Sequence, residues 1–320
     1  MVKLFRFIII FIVALTLTFS SRPTQAAGTV TNCTFGDLTT ALTGGGVVDF
    51  NIGADCTFYF TGRFTIDTNT TIQNTSAYNV TFTSQISPRV PLFRIDGATV
   101  NISNITFYQG GANTQRGGAF FNSYGTLIIN NAIFNGNFGG SGGAITNSYG
   151  VVTVNNSTFV ANSAQSAGGG IENDAGTVTV NNSVFYNNSA GSGAGINNWF
   201  GGILTVNNST FTNNSPGGAI YVVGDSTIVN YSTFSNDGIT FGSGTTVTAN
   251  IFNNTPCGGS GYTDGGNNIA YNSTGCFGAN INPNLSAFSG GVFTPANRAI
   301  EHATPCGIAT DQLGTSRPQV

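Results

Sequence analysis

Lysine does not occur after position 3, and between Gly117 and Gly259 the chain holds no lysine, arginine or histidine. Only 7% of its residues are charged. A surface so short of cations cannot neutralise a phosphate backbone, so nucleic acid is not an expected partner. The same stretch has four acidic residues, Glu172, Asp174, Asp225 and Asp237. That is little for a Ca²⁺-dependent lyase or a hydrolase with grouped carboxylates, and no cofactor or metal is expected. Helical periodicity is missing throughout the regular part of the chain. One long apolar run exists, at 7–19, after Lys3 and Arg6 and before small residues ending Ala26-Ala27. At thirteen residues it is too short to cross a bilayer and reads as a signal peptide, 1–27. After its cleavage no membrane-spanning segment is expected, and six arginines face twelve acidic residues.

What the sequence has in abundance is asparagine, glycine, threonine and phenylalanine, and they repeat. The Phe of N-N-x-x-F falls at Phe134, Phe159, Phe185 and Phe211, with relatives at Phe107, Phe234 and Phe252. A second marker, G-[GA]-[AG]-[IF], ends at Phe120, Ile145, Ile171, Ile196 and Ile220, so two signals keep one period. Self-similarity of this length indicates a solenoid or array. Within a period, Val152 and Val154 alternate with polar neighbours, as do Val178 and Val180, and Leu204 and Val206. Three short strands per period, separated by Asn- and Gly-rich corners, describe one coil of a parallel β-helix. Asparagines recur in register as three columns: Asn131, Asn156, Asn182 and Asn208; Asn137, Asn162, Asn188 and Asn214; Asn122, Asn147, Asn173 and Asn198. Each reads as a ladder, because Asn tolerates a left-handed corner and its amide both donates and accepts.

The ends depart from the period. Residues 28–62 hold Cys33, Cys56 and the one segment able to form a helical turn, 37–42, and read as an N-terminal cap. Coils are expected over 63–280, with a C-terminal cap and tail over 281–320 rich in proline. An exported protein can form disulfides, and the bracketing spacings pair Cys33 with Cys56 and Cys257 with Cys276, leaving Cys306 over.

The GGAI tetrapeptides at 142–145 and 217–220 and the FxxN motifs at 134–137, 159–162, 185–188 and 211–214 resemble the repeats of chlamydial polymorphic outer membrane proteins. The tail, with ATPC at 303–306 and TDQLGTSRP at 310–318, is similar to the ending of bacterial choice-of-anchor Q proteins. Leu313 stands where that family has Arg. The resemblance implies an all-β, right-handed parallel β-helix of the pectate-lyase-like type, with short caps at both ends. It implies a bacterial protein that is secreted or held at the cell surface. It implies no chemistry, because this fold hosts lyases, hydrolases, adhesins and scaffolds.

Two kinds of site are candidates. Glu172 and Asp174, two residues apart, could bind a cation or form an acid/base pair, against the plain reading of a solvated corner. Arg89, Arg94, Asp96 and Arg116 could line a groove for an acidic sugar or form ion-paired surface. Aligning coils on the ladder asparagines places Tyr124, Tyr149, Ala175 and Phe200 in one column, with Trp199 beside it. Stacked aromatics suit a sugar ring or the apolar groups of a surface-protein partner, although corner aromatics can also merely shield backbone. Thr153, Thr179 and Thr205 form an outward column too, which reads as β-propensity because Ile128 continues it. The functional expectation is a non-catalytic protein for adhesion or carbohydrate contact, with a polysaccharide lyase or glycoside hydrolase as the alternative.

Overall fold

A computed structural model describes residues 28–85, 88–111, 116–223 and 226–278. The expected signal peptide, the C-terminal tail with His302 and Cys306, and Asp225 lie outside these residues.

The chain is an all-β, right-handed parallel β-helix. Three long sheets run its length, of 11, 10 and 9 strands among the described residues. We call them sheets I, II and III. One coil shows the path: Ile145–Ser148 in sheet III, Val151–Asn155 in sheet I, Thr158–Val160 in sheet II, and then Ile171–Asp174 in sheet III again. Every strand pair among the described residues is parallel, and Val152 lies beside Val178 and Val178 beside Leu204, as the shared step of 26 residues predicts.

Alternation decides which side chains go inside. In sheet I the second and fourth residues of each five-residue strand, such as Val152 and Val154, are buried, and those of successive coils stack on one another. Sheet II contributes a column of rings: Phe134, Phe159, Phe185 and Phe211 lie 4.6, 4.5 and 4.8 Å apart, tilted by no more than 9°. Such close, nearly parallel stacking follows from identical residues held in register at the coil spacing.

In the regular coils a corner is turned by a single residue in the left-handed region. From sheet I to sheet II these are Asn104, Asn131, Asn156, Asn182 and Asn208, with φ between 48° and 59°, followed by Tyr231 and Ala249 at 54°. Asn bears that conformation with less strain than other side chains. Two columns form buried amide ladders. Asn137, Asn162 and Asn188 each donate through Nδ2 to the Oδ1 of the next coil's Asn, at 2.9–3.0 Å, and to the carbonyl of a Phe in the preceding coil. Asn122, Asn147 and Asn173 likewise donate to the Oδ1 of the next coil's Asn at 2.7–2.9 Å, but their second partner is the Gly carbonyl three residues on. The third column differs from the expected ladder. Side-chain bonds join Asn131 to Asn104 and Asn208 to Asn182, but the continuous rail lies one residue earlier, on Asn130, Asn155, Asn181, Asn207 and Asn230. The reason is geometric, since the first Asn of each pair ends the strand facing outward while the second is spent on the turn.

Between sheets II and III an arm doubles back over the outer face of sheet III. Gly142 and Gly168 lie on it at φ 64° and 67°, and a Cβ on either would stand 2.3–2.6 Å from Thr146 Oγ1 or Glu172 N. The glycine marker thus records close approach of backbone to sheet. A helix, Phe35–Leu42, is capped by Thr34 Oγ1, which accepts from Asp37 N, and packs Leu38, Ala41 and Leu42 against the N-terminal strands. Disulfides join Cys33 to Cys56 and Cys257 to Cys276.

Candidate functional site: an aromatic corner and a covered carboxylate

The corner from sheet III to sheet I repeats the left-handed turn, yet not with asparagine. Tyr124, Tyr149, Ala175 and Phe200 occupy it, at φ 56°, 56°, 55° and 54°. A bulky side chain is strained there by about 1–2 kcal/mol. Burial does not offset the strain, since Tyr124 is 68%, Tyr149 57% and Phe200 72% exposed. Tyr124 and Tyr149 stack at 5.2 Å and 8°, while Phe200 leans on Trp199 at 5.4 Å and 49°. Exposed Val151 and Ile203 begin the sheet I strands of the Tyr149 and Phe200 coils and widen the patch. Tyr231 is the one other aromatic at positive φ among the described residues. Aromatics in costly positions thus collect on this corner.

Beside the corner, on the outer face of sheet III, lie two columns of polar residues. Asp174 is in register with Ser148 and Trp199, and Glu172 with Thr146 and Asn197. Arg116 Nη1 donates to Asp174 Oδ2 at 2.8 Å, and Ser148 Oγ donates to the same oxygen at 3.4 Å. The plain reading of a solvated corner does not describe Glu172. The arm covers it, its Oε2 is buried without a hydrogen bond, and Asn197 beside it is fully buried with neither amide atom in hydrogen-bond geometry. Burial drives the Glu172 carboxyl up to about 7. The nearby Asn197 amide opposes this rise, Asp174 adds to it and Arg116 opposes it. A group that loses its proton near neutrality therefore lies two residues from an arginine-paired carboxylate.

Elsewhere the sites are plainer. Arg94 pairs with Asp96 at 3.3 Å and lies over the Phe121 ring at 4.9 Å, and Arg89 donates to the Gly136 carbonyl. These contacts describe ion-paired and backbone-tied surface rather than one groove with Arg116. Asp237 was not singled out by sequence. It ends the buried ladder, accepting from both the backbone N–H and Nδ2 of Asn214, and burial lifts its carboxyl to about 7. The signal was its place in the column after Asn214. Thr153, Thr179 and Thr205 do form an outward row on sheet I, flanked by Ile128 and Ile228. Among the described residues no three His, Cys, Asp or Glu side chains are grouped to hold a metal ion, and no helix is long and apolar enough to cross a membrane. No protein-family model matches the chain and no curated protein matches it. The site must therefore be read from its own chemistry.

Proposed function

We propose that this is an exported, non-catalytic contact protein that binds carbohydrate through the corner carrying Tyr124, Tyr149, Trp199 and Phe200. The observation that carries this reading is the placement of largely exposed aromatics in left-handed turns, where the asparagine used at the neighbouring corner would be less strained. Aromatic faces repeated along an edge suit the apolar faces of consecutive sugars. Two disulfides and the leader read from the sequence support export, and the likeness of the repeats and tail to bacterial surface families supports a place at the cell surface. In this reading the helix within residues 28–62 covers the apolar end of the stack.

One observation favours a second reading. Glu172, its carboxyl lifted to about 7 by burial, lies two residues from the arginine-paired Asp174, and two carboxyls in unlike environments are what carbohydrate-cleaving sites use. A glycan array with the full chain, run beside reducing-sugar and unsaturated-uronide assays, distinguishes the two. Binding without turnover supports the contact reading. Turnover that Glu172→Gln removes would establish the hydrolase or lyase.

A further inference from the structure

The aromatic column is interrupted once, and the interruption has a shape. Coils repeat at about 4.8 Å, Tyr124 and Tyr149 stack at 5.2 Å, and the next position is Ala175. Phe200 follows one coil later. The gap from Tyr149 to Phe200 is therefore two coil steps, about 10 Å, with a methyl group at its floor. One ring fits there with an aromatic neighbour on each side. The corner at Phe200 is also one residue longer than its predecessors. Asn198 Nδ2 reaches the carbonyl of Gly202, four residues on, where Asn147 and Asn173 reach a glycine only three residues on. In this longer corner Phe200 rests against Trp199, so the far wall is an aromatic pair.

The rim is polar on one side. Asp174 immediately precedes Ala175, and both hydrogen bonds that it accepts fall on Oδ2. Oδ1 takes no hydrogen bond, and the Asp174 side chain keeps 16% of its surface exposed. The Arg116 guanidinium, about half exposed, stands beside it and neutralises the carboxylate. An aromatic side chain from a protein partner would use the walls but not this rim. A neutral pyranose uses both, its faces on Tyr149 and Phe200 and its vicinal hydroxyls on Asp174 and Arg116.

We propose that the gap at Ala175 is a subsite for a single neutral pyranose of an oligosaccharide chain, with Tyr149 and Phe200 as walls and Asp174 as the hydroxyl acceptor. This rests on the carbohydrate-contact reading of the corner and names its ligand class and point of entry.

The test is to fill the gap. Ala175→Phe places an aromatic at a turn where Tyr124, Tyr149 and Phe200 already sit at the same φ, so the fold has precedent for it. Wild type, Ala175→Phe and Asp174→Asn, each as the full chain, are titrated with hexasaccharides of β-1,4-linked glucose, β-1,4-linked N-acetylglucosamine and α-1,4-linked galacturonate, and with an N-acetyltyrosine amide. Circular dichroism and melting serve as folding controls. The expected result is binding of a neutral hexasaccharide, weakened about tenfold or more by Ala175→Phe, the order expected for loss of stacking on both faces. Asp174→Asn should weaken it severalfold. Equal or tighter binding by Ala175→Phe would overturn the subsite while leaving the corner a continuous platform. Binding of the tyrosine amide alone would make the occupant a protein aromatic and overturn the proposal. Binding of the galacturonate alone would overturn neutrality of the ligand. No binding by wild type would overturn the subsite and the corner reading together.

Discussion

Tyr149 holds a backbone conformation that asparagine bears more easily, and its ring, 57% exposed, stacks only on the likewise exposed corner ring of Tyr124. Tyr149→Asn should therefore leave the melting temperature unchanged or raise it, by up to about 1 kcal/mol in stability, while lowering glycan affinity. A drop in both would make the ring structural. The two buried carboxyls set a pH dependence whose sign can be worked out. Glu172 and Asp237 titrate near 7 in the folded chain, against ordinary values of 4.5 and 3.8. Over that interval the folded state keeps protons that the unfolded state has lost, so stability falls as pH rises from the ordinary values toward 7 and is level above it. The slope approaches about 1.4 kcal/mol per pH unit for each group. Asp237→Asn should flatten this fall and stabilise the chain at pH 8. The repeat offers its new Nδ2 the Phe211 carbonyl, the counterpart of the Phe185 carbonyl held by Asn214. Thermal melts between pH 4 and 8 for both proteins decide it, and unchanged slopes would contradict the burial argument.

At the scale of a coil, the ring column and the amide ladder do different jobs. Phe185 lies between two parallel rings, so Phe185→Ala removes contacts on both faces and should cost about 3–5 kcal/mol. Asn162 accepts from the N–H and Nδ2 of Asn137 and donates to the Phe134 carbonyl. Asn162→Ala leaves those buried groups unpaired and should cost at least about 2 kcal/mol. Urea unfolding of both variants measures this, and a cost under half these figures would mean that the coils repack. The strands were legible because inward residues alternate and a fixed step sets the register. The rail on Asn130, Asn155, Asn181, Asn207 and Asn230 was not, because an Asn-Asn pair does not reveal which member turns the corner. The arm over sheet III was hidden for a related reason. Its glycine marker suggests a strand, and only φ and close approach show that Gly168 carries backbone against Glu172. Covering of that carboxylate was therefore not legible, although the aromatic column was, since it needs only the period.

Over the whole molecule, each coil is buried by its neighbours, so stability belongs to the stack rather than to any coil. The disulfides lie at the two ends of the described residues, Cys33 with Cys56 in the first coil and Cys257 with Cys276 near the last. The middle coils carry few ionisable groups, and recognition by stacking and amide or hydroxyl hydrogen bonds should depend weakly on salt. The measurement that tests the central claim most directly is the affinity of the full-length wild type and of a Tyr149→Ala, Trp199→Ala double variant for the best-bound neutral glycan, in low and high salt. The account predicts that the double variant melts like wild type and loses binding, while wild-type affinity changes little with salt. Unimpaired binding by the double variant, or wild-type binding that collapses in high salt, would contradict it.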